Sequence, residues 1–440
     1  MGMGKRNQPS VFEIWGGVEC TINRVGDEFH DQFDLTGHYA RQDDIERIAS
    51  LGITKLRYPV LWEKHQRDPN DSIDWTWSAN QLGRLQQVGI DPIVGLLHHG
   101  SGPAYTDLLD KSFAEKLAAY AGQVARAFPW VSHYTPVNEP LTTARFSGLY
   151  GFWYPHKQSD LDFLKMVLNQ VRGVVLSMQA IRQINSDAKL VQTEDLGKTY
   201  TPPSLRYQGD FENERRWLTF DLLAGKVNQS HALWDYLIWA GLTERELRFF
   251  EENTCIPDIC GFNYYLTSER YLDPETEYYP RHLHGGNGRD AYVDTEAIRI
   301  PHGEPFGLQV LLMEAWDRLK IPLAVTEAYL SCSEDEQVRW LNQVLSDVET
   351  ACINGVDIRA ITFWALLGEF GWNKLVTSLA DGEYEAGAFD VSRHPIRETL
   401  TANFVREVCR GKRKNEPWLN QPGWWQREDR FYVKSSLQTT

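Results

Sequence analysis

Short apolar segments alternate with longer amphipathic segments along almost the whole chain. The apolar segments predict eight β-strands, at residues 12–19, 53–60, 91–99, 133–139, 189–195, 258–265, 322–328 and 358–367. Most of these segments are nearly continuous runs of apolar side chains, which is typical of parallel strands buried on both faces. The pattern therefore predicts a parallel sheet covered by helices.

The amphipathic segments carry apolar side chains every three or four residues, which is the period of one helix face. The clearest of them predict helices at 43–52, 112–128, 163–181, 336–355 and 395–409. Gly52, Gly89 and Gly355 stand just before predicted strands, where a glycine commonly ends a helix. Eight β–α repeats predict a (β/α)8 barrel, because eight parallel strands close into a cylinder. A doubly wound open sheet is the alternative fold, but no Gly-x-Gly-x-x-Gly motif follows the first predicted strand.

Long insertions follow the fourth, fifth and sixth predicted strands. Residues 266–304 are rich in Tyr, His, Gly and charged side chains, and they predict a loop at the barrel rim. The Pro, Trp and charged residues of segment 411–440 predict an extended strap that packs on the barrel. The predicted fold class is thus α/β, a single (β/α)8 TIM barrel with rim-loop insertions, and we expect residues 1–440 to form one domain.

Composition and charge narrow the classes of partner. The 440 residues carry 45 Lys and Arg against 60 Asp and Glu, a formal net charge of −15. Such a surface repels polyphosphates and anionic lipids, so we expect neither nucleic acid nor membrane as a partner. The chain also has 16 Trp, 19 Tyr and 19 Phe, and aromatic rings stack well on the apolar faces of sugars. This content slightly favours a carbohydrate ligand.

Six cysteines are scattered along the chain without a Cys-x-x-Cys pair or metal-ligand spacing. No stretch approaches the ~18–20 apolar residues of a transmembrane helix, and the first ten residues lack the apolar region of a signal peptide. We therefore expect reduced thiols in a cytoplasmic protein, with no metal and no cofactor.

Two glutamates end predicted strands and are the best candidates for chemistry. Glu139 ends the fourth strand in the sequence YTPVNEP, and Glu327 lies near the end of the seventh in AVTEAY. Residues at the carboxyl ends of barrel strands line the active-site mouth, and the fourth and seventh strands lie across the barrel from each other. Retaining glycoside hydrolysis uses two carboxyl groups about 5–5.5 Å apart, one protonated and one ionised. Arg57 on the second strand is a suitable cation to keep one of them ionised.

Several motifs together resemble those of glycoside hydrolase family 1. The matching segments, in chain order, are LRYPVLWE around Arg57, the pair His98-His99, TPVNEP at 135–140, GFNYYLTS at 261–268, VTEAY at 325–329 and WALLGEFGW at 364–372. The resemblance runs from residue 12 to about residue 372. It implies a retaining β-glycosidase in which Glu139 is the acid/base and Glu327 is the nucleophile.

The resemblance also implies a set of substrate-binding residues. Asn138 would hold the sugar 2-hydroxyl group, His98 would hold the 3-hydroxyl group, Tyr265 would tune the nucleophile, and Trp364 would form the floor of the site. The full predicted set is Arg57, His98, His99, Asn138, Asn263, Tyr265, Trp364, Trp372 and Glu19. The implied partner is a small carbohydrate substrate, and the sequence leaves the oligomeric state open.

Two departures from the family pattern concern the far end of the sugar. The family's N-terminal Gln, which bridges the 3- and 4-hydroxyl groups, is absent, and Glu19 is the candidate to replace it. Gly371 replaces the Glu that grips the 4- and 6-hydroxyl groups, and Glu369 is the nearby candidate to compensate. The sequence therefore predicts altered recognition of the 4- and 6-hydroxyl groups. The phospho-sugar branch of the family is disfavoured, because no Ser-x-Lys takes the place of the missing Glu.

Other interpretations stay open at this point. The chain can be a non-catalytic carbohydrate-binding barrel, a transglycosidase or an endo-acting hydrolase of the same clan. Glu194-Asp195, at the end of the fifth predicted strand, can contact substrate or form a structural ion pair. We expect no metal at His98-His99, because neighbours on a regular strand point to opposite faces.

Overall fold

A computed structural model describes residues 12–70, 72–301, 305–413 and 416–431. Eight parallel strands close into a barrel in sequence order, since the first strand pairs with both the second and the eighth. The strands are β1 (Glu13–Gly17), β2 (Lys55–Pro59), β3 (Asp91–Gly95), β4 (His133–Thr135), β5 (Lys189–Asp195), β6 (Ile259–Tyr264), β7 (Leu323–Ala328) and β8 (Ile358–Phe363). The predicted (β/α)8 barrel is confirmed.

The barrel interior is filled by a layer of side chains beneath the site. Trp15, Ile93, Val191 and Ala324 form one buried cluster, which Ala360 joins. The first four come from β1, β3, β5 and β7, the alternate strands whose inward side chains share one level of such a barrel. The bulky Trp15 side chain packs in this cluster with the small residues Ala324 and Ala360. The layer closes the lower end of the barrel, and polar chemistry is confined to the carboxyl ends of the strands.

Helices pack around the barrel close to the predicted segments. They are α1 (Asp44–Ala49), α2 (Thr76–Gln87), α3 (Phe113–Ala127), α4 (Asp160–Arg182), α5 (Arg206–Arg215), α6 (Leu218–Leu223), α7 (Trp234–Trp239), α8 (Glu244–Glu252), α9 (Leu308–Leu319), α10 (Glu334–Ile353) and α11 (Leu400–Cys409). Short helices also span Gln32–Leu35, Trp62–His65 and Pro140–Ala144. Gly52, Gly89 and Gly355 all have positive φ, which is the conformation expected of a glycine just past a helix. Helix α11 begins five residues later than the predicted 395, because Arg397–Glu398 instead pairs with Phe389–Asp390.

The segment predicted as a rim loop contains a small sheet. Its strands run in the order Gly285–Gly286, Ala291–Glu296, Glu269–Asp273 and Lys198–Tyr200. Three of the four strands lie within 266–304, and buried side chains such as Leu272 and Val293 pack the sheet onto the rim. The insertion after β6 is thus folded together with the insertion after β5.

The described part of the predicted strap packs on helix α10. The Trp425 ring lies 5.4 Å from that of Trp340, and Trp425 Nε1 donates to Gln343 at 2.8 Å. Residues 414–415 and 432–440 lie outside the described part of the chain. All six cysteines are unpaired thiols. In the described ranges no helix combines the length and the apolar character that a bilayer span requires.

The contact between α3 and α4 gives a test of the packing. Leu117 of α3 is fully buried against Gly173 of α4, where an added Cβ would lie 3.1 Å from Leu117 Cδ2. Leu117→Ala should reduce the free energy of unfolding by about 2–5 kcal/mol, because it leaves a cavity in the core. Leu161→Ala, at a position on α4 that is 39% exposed, should change it by less than about 0.5 kcal/mol. Chemical denaturation of both variants measures the difference, and equal losses would contradict this packing.

Candidate active site

Glu139 occupies a sharp bend directly after β4. The regular strand ends at Thr135, although the sequence predicted it to reach residue 139. Beyond it, Asn138 makes single β-bridges to His98 and Thr193, and Glu139 has φ of +46° just before Pro140 begins a helix. A left-handed conformation is uncommon for a residue with a side chain and concentrates at functional sites. This bend, and not the alternation of a regular strand, sets the direction of the Glu139 side chain.

Glu327 lies within β7 and is held through both carboxylate oxygens. Arg57 Nη1 donates to Oε1 at 2.6 Å, and the Tyr265 hydroxyl group donates to Oε2 at 2.6 Å. Both Glu327 and Arg57 are buried. A guanidinium ion and a phenol that both donate to one carboxylate favour its ionised form.

Asn263 connects the two glutamates. Its Nδ2 donates to Glu139 Oε1 at 2.5 Å, while its Oδ1 accepts from Thr326 Oγ1 at 2.7 Å. Asn263 also stands opposite Glu327 in the pairing of β6 with β7. Because Thr326 occupies the carbonyl side of this amide, its N–H side is fixed toward Glu139. One side chain therefore ties the carboxyl group after β4 to strand β7.

The electrostatic environments of the two glutamates differ. Burial raises the pKa of Glu139 well above its ordinary value, and the charge of Glu327 raises it further. Burial also raises the pKa of Glu327, but Arg57 and the Tyr265 hydroxyl group oppose that effect. In the described part of the chain no cation donates to Glu139. The arrangement keeps the proton on Glu139 and the negative charge on Glu327.

Arg57 also fixes the amide of Asn138. Its Nη2 donates to Asn138 Oδ1 at 2.7 Å, and Thr193 Oγ1 donates to the same oxygen at 2.7 Å. Asn138 Nδ2 lies 3.2 Å from Nε2 of His98 and 3.4 Å from Nε2 of His99. Burial lowers the pKa of both imidazoles, that of His99 to about 3, so the rings are neutral acceptors.

The expectation that His98 and His99 point to opposite faces is wrong. Strand β3 ends at Gly95, before the histidines, and His99 has φ of +54°. The two ring centroids are 4.9 Å apart, and both rings reach Asn138. Strand alternation does not apply, because the pair lies in the turn after the strand.

Aromatic rings border the site on the side of β8. Trp364 stacks on His98 with centroids 5.6 Å apart and planes at 9°, and the Arg57 guanidinium lies 4.9 Å from its centroid. Trp372 packs edge-on against His99 at 5.5 Å and near Trp153 at 6.2 Å. Indole Nε1 of both Trp364 and Trp372 is buried without a hydrogen bond that meets standard geometry in the described structure.

Further carboxyl groups cluster near Glu327. Glu19 is buried, accepts from the Thr21 backbone N–H at 2.8 Å, and has its pKa raised to about 7, mainly by burial and also by Glu327. Glu369 is buried and stands directly opposite Glu385 in a two-stranded ribbon. Burial, Glu385, Glu19 and Glu327 all raise the pKa of Glu369, so it stays protonated and donates a hydrogen bond to Glu385.

Gly371 leaves open space beside this cluster. It has φ of +78°, and an added Cβ would meet only the Cα of Gly382, at 4.0 Å. The side chain that the family has at this point is therefore missing without replacement by a bulky neighbour. Glu369 lies two residues earlier on the same ribbon.

The two carboxyl groups at the end of β5 lie in different surroundings. Glu194 accepts from the Leu141 backbone N–H at 2.9 Å and from the Thr219 hydroxyl group, so it holds the turn after Glu139 in place. Asp195 is partly exposed and accepts from Ser268 Oγ. Glu194 is thus structural, while Asp195 faces the mouth of the barrel.

Three residues that organise the site were not predicted from the sequence. Thr193 and Thr326 orient the amides of Asn138 and Asn263. Thr193 directly precedes Glu194 and Thr326 directly precedes Glu327, and these positions were the signal that the sequence offered. Glu385 stands opposite Glu369 although it lies 16 positions later in the chain, and no local pattern marks this contact.

Comparison with known proteins identifies the family. The sequence model of Glycosyl hydrolase family 1 matches residues 34–378. A Bifunctional beta-D-glucosidase/beta-D-fucosidase of Bifidobacterium breve is 23% identical over 421 residues, covering 83% of this chain and 85% of the relative. Beta-glucosidase 4 of Oryza sativa subsp. japonica is 25% identical over 425 residues, covering 87% of this chain and 86% of the relative.

Solved structures share the fold at low sequence identity. The family 1 β-glucosidase from Thermotoga maritima superposes with a TM-score of 0.75 and 16% identity, covering 93% of this chain and 99% of that chain. A Thermotoga maritima family 1 glycoside hydrolase complexed with a cyclophellitol analogue superposes with a TM-score of 0.74 and 17% identity, covering 92% of this chain and 98% of that chain. The matched segment contains Arg57, Glu139, Asn263 and Glu327. The chain belongs to glycosyl hydrolase family 1 and is a glycoside hydrolase built on a (β/α)8 barrel.

Proposed function

We propose that Glu139 and Glu327 hydrolyse a β-linked glycoside with retention, through a covalent glycosyl-enzyme. The observation that carries this assignment is the contrast between two linked, buried carboxyl groups. Glu327 accepts from a guanidinium ion and a phenol, whereas among the described residues the Glu139 carboxyl group accepts from the amide of Asn263 alone. A charged carboxylate beside a protonated carboxyl group is the pair that double displacement requires.

In the first step, a carboxylate oxygen of Glu327 attacks the anomeric carbon. The bond to the leaving oxygen breaks as Glu139 donates its proton to that oxygen. The product is an ester between Glu327 and the sugar. Tyr265 and Arg57 hold the Glu327 oxygens in line beforehand, so little reorganisation is needed.

In the second step, ester formation has removed the charge of Glu327. The pKa of Glu139 then falls, because one of the groups that raised it is neutral. Glu139 takes a proton from water, whose oxygen attacks the anomeric carbon and displaces Glu327. Two inversions give net retention.

We propose that the 4- and 6-hydroxyl groups are recognised differently from the family pattern. Three features of the β1 and β8 side support this: the absent side chain at Gly371, the carboxyl group of Glu19, and the protonated Glu369. The charges of Glu19 and Glu327 both raise the pKa of Glu369, and the charge of Glu327 also raises the pKa of Glu19. We infer that these carboxyl groups border one sugar subsite. Because the proton of Glu369 is donated to Glu385, its carboxyl oxygens remain available to accept a hydrogen bond from a sugar hydroxyl group. We assign the 4-hydroxyl group to Glu369 and expect weak recognition of the 6-hydroxyl group.

We also propose that residues 1–440 act as a single catalytic domain in the cytoplasm. The shared barrel core and the packing of Trp425 on α10 support one domain. Six free thiols support a reducing compartment.

Removal of each glutamate should give a different defect. Glu327→Ala should reduce hydrolysis of an activated aryl β-glycoside by more than the roughly 10²–10⁴-fold typical of losing an acid–base group. Glu139→Ala should slow release of a poor leaving group by about 10²–10⁴-fold and slow an activated one less, since the latter needs no proton. Steady-state kinetics on two aryl β-glycosides of different leaving-group pKa measures both.

A matched control is Glu194→Gln, which removes a buried carboxylate that holds the Leu141 turn without joining the reaction. Unimpaired turnover by Glu327→Ala would refute the nucleophile assignment. Tight sugar binding without turnover by the unmodified protein would instead support a binding barrel.

Trapping the glycosyl-enzyme should lower the pKa of Glu139. A 2-fluoro glycoside that esterifies Glu327 removes its negative charge, and the carboxylate form of Glu139 becomes less costly. Isotope-edited infrared spectroscopy of the carboxyl band, with and without the trapped sugar, follows this titration. Glu194 serves as the internal control, because its pKa of about 8 arises from burial without a contribution from Glu327. An unchanged or raised Glu139 pKa would mean that the two carboxyl groups are not coupled.

Sugar analogues should separate the 4- and 6-positions. Loss of the 6-hydroxyl group from an aryl β-glycoside should lower kcat/KM by less than about 10-fold, since Gly371 offers no partner. Glu369→Gln should lower kcat/KM for the 4-hydroxyl substrate by about 2–10-fold, the equivalent of about 0.5–1.5 kcal/mol for a hydrogen bond between neutral groups. The same substitution should matter much less for the 4-deoxy analogue. Equal losses on both substrates would remove Glu369 from 4-hydroxyl recognition.

A further inference from the structure

A β-hairpin between β1 and α1 holds the chain just after β8. Its strands are Ile22–Val25 and Glu28–Asp31, and Asn23 stands directly opposite His30 in their pairing. Both side chains are buried. Asn23 Nδ2 donates to the carbonyl oxygen of Val376 at 3.1 Å, and Nδ1 of His30 lies 3.1 Å from the same oxygen. Since a carbonyl oxygen only accepts, this contact requires a proton on Nδ1 of His30. Two side chains of one hairpin therefore converge on a single backbone oxygen.

The backbone at Val376 has a conformation that its side chain disfavours. Leu375 has φ of +52° and Val376 has φ of +50°, so two consecutive residues with side chains are left-handed. This conformation is uncommon outside glycine and is rarest for a β-branched side chain such as that of Val376. Surrounding contacts must compensate for such strain. The two hairpin contacts do so together with a third, from Trp153 Nε1 to the Leu375 carbonyl oxygen at 2.7 Å.

This turn closes the segment that contributes an aromatic ring to the site. The segment begins at left-handed Gly371 and continues through a 3₁₀ turn at Trp372–Lys374. The Val376 N–H then donates to the Gly371 carbonyl oxygen at 2.9 Å. Just before the segment, Gln32 forms two hydrogen bonds with the Phe370 backbone, at 2.7 and 3.0 Å. Gln32 directly follows the hairpin in the chain, so the hairpin region fixes the segment at both ends.

The indole of Trp372 is the part of this segment that reaches the site. Its ring centroid lies 5.5 Å from that of His99, whose Nε2 is 3.4 Å from Asn138 Nδ2. It also lies 6.2 Å from the ring of Trp153, which bonds to the Leu375 carbonyl oxygen. The Trp372 Nε1 atom is buried without a hydrogen-bond partner in the described structure, so its N–H is free to meet a ligand. The position of the turn and the position of the ring are thus linked.

We propose that Asn23 and His30 are positioning residues of the sugar site, which hold the Leu375–Val376 turn left-handed and thereby fix the indole of Trp372. This inference rests on the proposed function. Without the two donors the turn relaxes from its disfavoured conformation, and the indole N–H that meets a sugar hydroxyl group moves with it. The loss then falls on sugar binding and not on the displacement, because other contacts hold the two glutamates.

Relief of the backbone strain separates this role from a merely structural one. Leu375 is 37% exposed, and glycine adopts a left-handed conformation without steric cost. Leu375→Gly should therefore keep the turn in place with less support from the hairpin. If Asn23 acts through the turn, the glycine restores the activity that Asn23→Ala loses. If Asn23 only stabilises the hairpin, the glycine restores nothing.

The test measures kcat and KM for the activated aryl β-glycoside that the unmodified protein cleaves best. Asn23→Ala and His30→Ala should each raise KM by about 3–10-fold, as expected for one misplaced hydrogen bond, with kcat within about 2-fold. Adding Leu375→Gly to Asn23→Ala should bring KM back to within about 2-fold of the unmodified protein. Trp372→Phe removes the indole N–H, and Asn23→Ala should add little to its effect, because both changes remove the same sugar contact.

Asp27→Asn is the matched control, because Asp27 lies at the tip of the same hairpin with its side chain 99% exposed, and KM should not change. His30→Asn keeps an N–H donor near the position of Nδ1 and should retain the KM that His30→Ala loses. Thermal unfolding of each variant checks the fold, and the two His30 variants carry the test if Asn23→Ala does not fold.

An unchanged KM in the folded alanine variants overturns the inference. A raised KM that Leu375→Gly does not reverse, or one that adds fully to the effect of Trp372→Phe, overturns it as well. An unmodified protein that cleaves no aryl β-glycoside instead refutes the proposed function.

Discussion

The guanidinium of Arg57 is the contact on which the geometry of the site depends. It donates to Glu327 Oε1, to the Thr326 carbonyl oxygen and to Asn138 Oδ1, and so joins β2, β7 and the turn after β4. A buried ion pair contributes little net stability, because desolvation offsets most of the attraction. Its planar fork instead fixes three acceptors at set distances. Without it, Glu327 would lose the cation that opposes its raised pKa, and Asn138 would lose the contact that orients its amide.

The site holds more carboxyl groups than the single positive charge of Arg57 can neutralise. Glu19, Glu139 and Glu369 are buried close to Glu327, and burial raises the pKa of each. Protons therefore take the place of additional cations. A group whose pKa is higher in the folded than in the unfolded state stabilises the fold at pH values below its unfolded-state pKa. This stabilisation is lost as the pH rises through the folded-state pKa. For Glu19, whose folded-state pKa is about 7, that loss falls near neutrality. The same protonation that lets these groups donate hydrogen bonds thus limits stability toward alkaline pH.

Sequence periodicity was sufficient for the barrel, because each strand and helix depends on local patterns of burial. The strand-end motifs were sufficient to place Glu139 and Glu327 at one end of it. Periodicity failed where the backbone leaves regular structure, at the left-handed Glu139 and in the turn containing His98 and His99. The contact of Glu369 with Glu385 arises from a ribbon after β8, whose path no period of two or 3.6 residues describes.

The two ends of the substrate site are built under different constraints. The contacts around Glu139, Glu327, Asn263 and Arg57 must match one reaction geometry, and hydrogen bonds from Asn263 and Arg57 fix the positions of the two glutamates. The outer groups carry no such requirement. Glu369 lies two residues from Gly371 on a ribbon, so a carboxyl group can enter the sugar subsite from a different backbone position while the reacting atoms stay in place. Changes in sugar preference are therefore compatible with an unaltered pair of glutamates, because the groups that we propose to contact the outer hydroxyl groups are not those that we propose to perform the displacement.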